Sequence, residues 1–328
     1  MSTYGDISPR TAAYAVKNLL ERAHPAMITE LFGVPTTLPT NSTKSVKWRR
    51  YNALPKALTP LTEGVAPTGS ALTATDVTLT LQQYGAYVPI TDVILDTHED
   101  PVLHELTTGV IPQQAAETIE TIRLGALKSA SNVFYAGGVA SRATVASAFD
   151  LNTQRKIVRA LARQNAKKVT KVVKASVNIA TEPVAASFIC IIHPDLVPTI
   201  RSLTGFVPTE KYAGITPWDM EIGKVEDVRY LVTTLNTPYA DAGATSSTMI
   251  STTGTNADVY PMLFFGADAF GIVALKGKFA ADVLVNNPKA VKGDELAQYG
   301  SVGWKTMQGA AILNDAWFAV CEVAAPKI

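Results

Sequence analysis

Cysteine, charge and long apolar runs are all scarce in this chain of 328 residues. Its two cysteines, Cys190 and Cys321, lie in apolar stretches, whereas small secreted domains depend on dense disulfide frameworks. We therefore expect two buried, reduced thiols. Charged residues make up only 17% of the chain, below the roughly one quarter that is usual for soluble domains. This scarcity predicts that part of the surface is covered by something other than water.

The charges that are present nearly cancel. The chain has 29 lysines and arginines against 28 aspartates and glutamates, which gives a net charge of +1. As a whole, the chain therefore lacks the positive field expected of a protein that binds duplex nucleic acid or an anionic membrane. Hydrophobic residues make up 47%, which excludes an intrinsically disordered chain and allows a sizeable core.

A membrane span and a secretory signal are also missing from the pattern. The longest apolar run, 263–275, contains Asp268 and two glycines, and it falls short of the ~18–20 residues that a transmembrane helix needs. The first residues contain no basic start followed by an apolar block. We therefore expect a protein without membrane contact that is made in a cytoplasm-like compartment.

Motifs for catalysis and cofactor binding are absent as well. Gly271 and Gly277 are too far apart for a phosphate-binding loop, and Phe279 stands where that loop needs Ser or Thr. His98 and His104 are six residues apart, whereas a helix-borne zinc site needs a spacing of four. We expect no cofactor and no metal. A soluble α+β enzyme with an unidentified active site stays open as an alternative at this point.

The first 44 residues are predicted to form an N-terminal arm. Apolar residues at helical spacing, among them Leu19 and Leu20, indicate an amphipathic helix, and the proline- and threonine-rich residues 34–43 are interpreted as an extended linker. The apolar stripe of this helix needs a partner. Packing against its own domain and packing against a neighbouring chain both remain open.

A long loop separates the first two predicted strands. Residues 45–51 and the alternating residues 76–81 favour strands, and the connection 52–75 is rich in proline and glycine. Connections in compact domains usually have about 2–6 residues, so this loop is unusually long. Its apolar residues without an evident local partner are Leu54, Leu58, Leu61 and Val65. Either the loop is mobile, or another copy of the protein holds it.

The remainder of the chain predicts an α+β protein. Asp100 and Pro101 are good first residues for a helix, which continues to about residue 130 with a break near Gly109. A second helix covers 153–166. Apolar stretches predict strands at 188–192, 228–232, 262–265, 271–275 and 281–285. Residues 301–305 and 310–323 are interpreted as a closing strand pair.

Two basic clusters stand out against the neutral whole. The first lies in an interval without acidic residues and contains Arg155, Arg159, Arg163, Lys167 and Lys168. It is either a solvated helix face with a basic loop or a face turned towards a polyanion such as DNA. The second lies on the first predicted strand, around Trp48, Arg49 and Arg50. Stacking on bases and pairing with acidic groups of a neighbouring chain both fit this second cluster.

Six motifs resemble those of one protein family. They are VKWRRY at 46–51, TPLTEGVAPTG at 59–69, YGAYVPITD at 84–92, QAAETIE at 114–120, VFYAGG at 133–138 and YGSVGWK at 299–305. Their order over roughly residues 20–325 resembles that of the N4-type major capsid proteins of tailed bacteriophages. The resemblance implies the Hong Kong 97 (HK97)-like phage capsid fold, an α+β fold with an N-terminal arm, an extended loop, a peripheral domain with a long spine helix, and an axial domain.

Transferred by position, the resemblance also implies domain boundaries. They are 1–44 for the arm, 45–95 for the extended loop and its flanking strands, 96–150 for the peripheral domain with the spine helix at about 101–130, 151–290 for the axial domain, and 291–328 for closing strands of the peripheral domain. Arm and loop are then expected to lie across adjacent subunits. The implied inter-subunit contacts are Leu19, Leu20, Trp48, Arg49, Arg50, Leu54, Leu58, Leu61 and Val65.

The function implied by the resemblance is that of a virion protein without catalysis. Its copies would form the hexamers and pentamers of an icosahedral shell around double-stranded DNA, assembled in the cytoplasm of a bacterial host. The basic stretch 155–174 is the candidate DNA-facing cluster, and a nucleic-acid-binding module that uses it is a further alternative. Because only about 44 residues precede the first strand, we expect a separate scaffolding protein, together with a portal and a decoration or cement protein.

Overall fold

The structure is a computed structural model that describes residues 28–39, 41, 43–61, 63–64, 66, 69–97, 103, 106–169, 186–212, 217–218, 220–275, 281–290 and 293–328. Within these residues, none of the helices combines the length and the hydrophobicity that crossing a membrane requires. The α-helices are α1 Thr29–Phe32, α2 Asp92–Thr97, α3 Ile111–Leu127, α4 Leu151–Arg163 and α5 Val197–Arg201. The strands are β1 Val34–Leu38, β2 Ser45–Tyr51, β3 Ala74–Thr80, β4 Gln82–Thr91, β5 Val133–Tyr135, β6 Phe188–Ile192, β7 Phe206–Pro208, β8 Glu221–Val225, β9 Val228–Val232, β10 Val259–Phe265, β11 Phe270–Leu275, β12 Asp282–Asn286, β13 Tyr299–Ile312 and β14 Phe318–Ala324.

The larger sheet contains the most buried part of the core. Its strand order is β5-β14-β10-β6-β9-β8-β7. Strands β6, β10 and β14 are buried along their whole length, as expected of near-continuous apolar strands covered on both faces. Cys190 on β6 and Cys321 on β14 are buried free thiols, as predicted, and burial raises the pKa of Cys190. Helix α4 covers this core with Ile157, and it begins at Asp150, whose carboxylate accepts a hydrogen bond from the Thr153 N–H at 3.0 Å.

The smaller sheet is organised around the long strand β13. Its order is β1-β11-β13-β12, and β4 pairs along the opposite edge of β13. One face of β13 packs against α3, where Val302 and Trp304 meet Ile111 and Ala115. Strands β2 and β3 form a separate antiparallel hairpin. No hydrogen bonds between strands therefore join this hairpin to the larger or the smaller sheet within the described residues.

The predicted closing strand pair is wrong. Strand β13 belongs to the smaller sheet, whereas β14 lies in the larger sheet between β5 and β10. The chain passes from one sheet to the other through a 3-10 turn at Asp315–Trp317. The Asn314 side chain accepts a hydrogen bond from the Ala316 N–H at 3.3 Å, which favours this turn over a continuous strand.

Part of the predicted linker is also a strand. Residues Val34–Leu38 form β1, which pairs in parallel with β11 from Val34 opposite Gly271 to Leu38 opposite Leu275. Strand β1 lies at an edge of the sheet, where a residue without an N–H, such as Pro35, is tolerated. The described part of the arm therefore packs on its own chain.

The first long helix contains the break that the sequence predicts near Gly109. A π-helical turn at Leu106–Val110 precedes α3. Pro112 is the second residue of α3 and has no backbone N–H to bond the carbonyl four residues earlier. The regular helix therefore begins anew at this point.

A buried polar network holds α1 against α3. The Glu120 carboxylate on α3 accepts hydrogen bonds from the backbone N–H groups of Ile28, at 2.8 Å, and Thr29, at 3.0 Å, and from the Thr29 hydroxyl at 2.5 Å. One turn further along α3, Arg123 donates to Gln308 on β13. Charge-assisted hydrogen bonds in a buried site are strong, so this network fixes the first described residues to the helix and the sheet.

Replacing Glu120 by alanine is expected to lower the free energy of unfolding by about 2–4 kcal/mol, because buried donors lose their acceptor. Urea unfolding of the unassembled chain measures this loss. Glu117→Ala is the matched control, since Glu117 lies on the same helix, is only half-buried and accepts a hydrogen bond from Gln113 of its own helix. Equal losses for both variants would contradict the anchoring role of Glu120.

Lys128 joins the end of α3 to the segment before β10. Its ammonium group donates to the Thr237 carbonyl at 2.8 Å and lies 5.9 Å from the centre of the Tyr239 ring. Desolvation by the surrounding protein disfavours the charged form, and the pKa of Lys128 is lowered to about 8.

This lowered pKa predicts a pH dependence of stability. Between about pH 8 and the ordinary lysine value of 10.5, the native state binds fewer protons at Lys128 than the unfolded state. The contribution of Lys128 to the free energy of unfolding therefore rises as the pH rises through this window. Urea midpoints at about pH 7.5 and about pH 9.5 are expected to differ less in Lys128→Met than in the unaltered chain. An unchanged difference in Lys128→Met would assign the effect to another group.

Candidate interaction surfaces

The β2–β3 hairpin packs on the smaller sheet at its base. Leu79 of β3 lies directly on Gly309 of β13, and Trp48 of β2 lies on Gly271 of β11. Trp48 also donates its indole N–H to the Thr36 hydroxyl at 3.2 Å. Trp48 is thus half-buried against its own chain, and its predicted role between subunits stays a prediction.

The loop between β2 and β3 exposes its leucines. Hydrogen bonds between Asn52 and Thr73 close the hairpin, and the described loop residues beyond them are exposed. The exposed fractions are 56% for Leu54, 83% for Leu58, 78% for Leu61 and 64% for Leu72. Single exposed leucines are ordinary, but several on one segment form an apolar patch of the kind that marks an interaction site.

The stem of the hairpin carries the second basic cluster. Arg49 donates two hydrogen bonds to Asp76, at 2.8 and 2.9 Å, and Lys47 lies 3.3 Å from the same carboxylate. The Arg49 guanidinium holds the pKa of Asp76 well below its usual range. Arg50 is exposed and forms no ion pair within the described residues. Of the two predicted arginine contacts, Arg50 is therefore the one that keeps an uncompensated charge.

Helix α4 displays part of the first basic cluster. Ile157 and Leu161 face the core, while Arg155, Arg159 and Arg163 follow one another on the exposed face at a spacing of four residues. Like charges at this spacing on a helix repel one another. A nearby negative charge is therefore favourable along this stripe.

Some members of this cluster already have a counter-charge. Arg155 donates to Glu226 at 3.0 Å, and Lys168 lies 2.8 Å from Asp227. Both acids belong to the turn between β8 and β9. In the part of the chain that the structure describes, the cations of the cluster without an ion pair are Lys156, Arg159, Arg163 and Lys167.

Several predicted residues lie outside the described ranges. They are Leu19 and Leu20 of the arm, Val65 of the loop, the histidines His98 and His104 whose spacing was compared with that of a zinc site, and residues 170–174 of the basic stretch. The predictions made for them stay predictions.

One groove was missed in the sequence. On the face of β13 opposite α3, Gly303 forms the floor of a groove, with Tyr87 of β4 opposite it along one edge and Leu284 of β12 along the other. The groove has a volume of about 420 Å³, and both large side chains are exposed, Tyr87 by 72% and Leu284 by 42%. A glycine inside a strand often marks a close approach of another backbone, and at Gly303 that backbone is β4, with Ala86 and Tyr87 against it.

Comparisons with known proteins find no match by sequence but clear matches by fold. Neither a protein-family model nor a curated protein sequence matches this chain. Solved capsid structures do match its fold. The capsid of Ralstonia phage GP4 has a TM-score of 0.66 at 11% identity, over 100% of this chain and 98% of that chain. The head of Helicobacter pylori bacteriophage KHP40 has a TM-score of 0.63 at 12% identity, over 95% and 94%. The capsid of Cyanophage P-SCSP1u has a TM-score of 0.58 at 15% identity, over 95% and 92%.

These similarities confirm the predicted fold class. The chain has the HK97-like fold of phage capsid proteins, and the similarity extends over nearly its whole length. At such low identities the similarity concerns the fold, and it does not separate the N4-type family from other phage capsid proteins.

Proposed function

We propose that this protein is the major capsid protein of a tailed double-stranded DNA bacteriophage. Its copies assemble as hexamers and pentamers into an icosahedral shell that encloses the genome. The observation that carries the proposal is a phage capsid fold over the full chain, matched over nearly the full length of the solved capsid proteins as well. Within this proposal, the N4-type family is the specific relationship, and its supporting observation is the ordered set of motifs from 46–51 to 299–305.

The exposed loop supports self-assembly. A leucine that becomes fully buried contributes about 1.5–3 kcal/mol, and each copy exposes four leucines on residues 52–73. Burial of these leucines against neighbouring copies therefore favours assembly. We therefore assign Leu54, Leu58, Leu61 and Val65 of the loop to contacts between subunits, together with Trp48, Arg49 and Arg50 of the stem.

The family boundaries are part of the proposal. Residues 1–44 serve as the arm, with Leu19 and Leu20 as contacts, and 45–95 as the extended loop with its flanking strands. Residues 96–150 and 291–328 form the peripheral domain, and 151–290 form the axial domain. Because β14 lies in the larger sheet, the closing segment contributes to the sheet of the proposed axial domain as well.

The proposed partners are those that a protein shell around a DNA genome requires. Packaged DNA meets the unpaired cations of α4 without sequence specificity, since phosphate contacts carry no sequence information. A separate scaffolding protein, a portal and a decoration or cement protein complete the proposal. The protein acts without a cofactor and without catalysis, in the virion head, after assembly in the cytoplasm of the bacterial host.

Removal of the loop tests the proposal directly. Replacing residues 54–72 by a short glycine-serine linker is expected to leave a folded chain and to abolish large particles, because the replaced leucines are exposed rather than part of the core. Light scattering after size-exclusion chromatography measures particle mass, and circular dichroism reports the fold. Megadalton particles from the shortened chain would contradict the inter-subunit role of the loop.

A single substitution sharpens the same test. Leu61→Ser is expected to raise the concentration needed for assembly by about 10- to 150-fold, which corresponds to the loss of one buried leucine per contact. Leu296→Ser is the matched control, since Leu296 has the same exposed fraction of 78% but lies outside the loop. Similar effects of both substitutions would show that general surface hydrophobicity, and not the loop, drives assembly.

The unpaired cations of α4 and of the segment that follows it predict a second outcome. Arg159→Gln with Lys167→Gln is expected to weaken binding of the chain to duplex DNA and to reduce the slope of log affinity against log salt by about 2, one for each lost phosphate contact. The matched control is Arg155→Gln with Lys168→Gln, which removes one arginine and one lysine that already have acidic partners. A slope that falls equally in both variants would favour a merely solvated helix face.

A further inference from the structure

Two cations share one aromatic ring near the end of α3. The ammonium group of Lys128 lies 5.9 Å from the centre of the Tyr239 ring, and the Arg142 guanidinium lies 3.8 Å from the same centre. Arg142 donates two hydrogen bonds, at 2.6 and 2.8 Å, to the two carboxylate oxygens of the buried Glu322. The negative charge on this side of the ring is therefore already engaged by Arg142.

A second carboxylate of this region is engaged as well. Asp195 accepts a hydrogen bond from the Tyr260 hydroxyl at 2.7 Å and lies 3.2 Å from Nδ1 of His193. Burial lowers the pKa of His193, Asp195 raises it, and the positive charge of Lys128 lowers it again. His193 and Lys128 therefore lie close enough for each to disfavour the charged form of the other.

Lys128 itself forms no ion pair among the residues that the structure describes. The polar contacts of its ammonium group are the Thr237 carbonyl oxygen at 2.8 Å and the Thr237 hydroxyl oxygen at 3.4 Å. A half-buried ammonium group with a neutral acceptor and two cationic neighbours is poorly compensated. The surroundings of Lys128 thus favour its neutral amine.

We propose that Lys128 is a modification site, at which small acyl phosphates transfer their acyl group to the side-chain amine. The inference goes beyond the proposed function and does not depend on it. The ammonium group first loses a proton to solvent, and the neutral amine is the nucleophile. Its nitrogen forms a bond to the acyl carbon, the bond from that carbon to the phosphate oxygen breaks, and phosphate leaves with the electron pair. A second N–H proton passes to solvent, and the product is an amide.

The surroundings select this class of acyl donor and tolerate the product. Because Lys128 is half-buried, a small reagent reaches the amine more easily than a bulky one. The phosphate group is an anion, and the neighbouring Arg142 side chain is 41% exposed and attracts it. After the transfer, the nitrogen keeps one N–H for the Thr237 carbonyl, while the charge that burial disfavours is removed.

The lowered pKa of Lys128 supports the same assignment. With a pKa of about 8, about a quarter of the Lys128 amine is neutral at pH 7.5, against about one thousandth for a lysine at the ordinary value of 10.5. A less basic amine is also a weaker nucleophile, which offsets part of this advantage. We therefore expect a rate advantage well below the ratio of the two neutral fractions.

Acetyl phosphate tests the proposal on the full, unassembled chain. At pH 7.5, Lys128 is expected to be acetylated at least about fivefold faster than Lys156, an exposed lysine of α4 without an ion pair among the described residues. Mass spectrometry of peptides, cut by a protease that does not act at lysine, measures both rates in one sample. In urea the two rates are expected to be similar, because the advantage depends on the fold. Acetylation of native Lys128 no faster than that of Lys156 would overturn the proposal.

A counter-charge placed at Thr237 tests the cause of the reactivity. Thr237 is exposed, and its hydroxyl oxygen lies 3.4 Å from Nζ of Lys128, so Thr237→Asp puts a carboxylate beside the ammonium group. An opposite charge at this distance favours the charged amine, and acetylation of Lys128 is expected to slow by about three- to tenfold relative to Lys156. Thr237→Asn is the matched control, since it has the same shape as the aspartate without its charge, and it is expected to keep the fast rate. Circular dichroism verifies the fold of both variants. Equal rates in the two variants would overturn the assignment of the reactivity to a missing counter-charge.

Discussion

The pairing of β13 is the constraint on which the rest of this structure depends. The strand is bonded to β4 along one edge and to β11 and β12 along the other, and one of its faces is covered by α3. A shift of register by one residue would expose Trp304 and bury Lys305, so the register is strongly specified. Gln308 on the same strand receives Arg123, which links the anchored start of the described chain to this sheet. The hairpin, the helix and the arm therefore take their places relative to one strand.

The sequence predicted those strands and helices whose formation depends on the pattern of their own residues. The alternation of residues 76–81 indicated β3, the apolar run at 188–192 indicated β6, and apolar residues at helical spacing within 153–166 indicated α4. Prediction failed where a distant segment decides the outcome. Residues 34–38 are rich in proline and threonine, and only the edge of β11 makes them a strand. The segment 310–323 is mostly apolar, and the turn around Asn314 and the gap between β5 and β10 divide it between two sheets.

The features of the candidate surfaces also differ in how far the sequence could predict them. The exposed leucines of the loop could be predicted, because proline and glycine leave that segment without a local partner. The charge of α4 could be predicted only in part. Glu226 is 71 residues away from Arg155 along the chain, so an interval without acids overstated the number of unpaired cations. Trp48 is predicted to contact a neighbouring chain, and nothing in the sequence indicates that it also packs on Gly271 of its own chain. The groove over Gly303 needs the register of three strands, which no single stretch of sequence contains.

Folding of the loop and assembly of the proposed shell form one equilibrium. A two-stranded hairpin is marginal in water, and this one gains stability from its base, where side chains pack on glycines of the sheet. The leucines at its far end are exposed and have no such packing site in the described part of their own chain. In the proposed shell, a neighbouring copy supplies this packing site, and the low net charge of the chain lets copies approach without strong long-range repulsion. In a closed ring each subunit is held by two such contacts, so a contact too weak to stabilise a pair of chains is sufficient to hold the ring together.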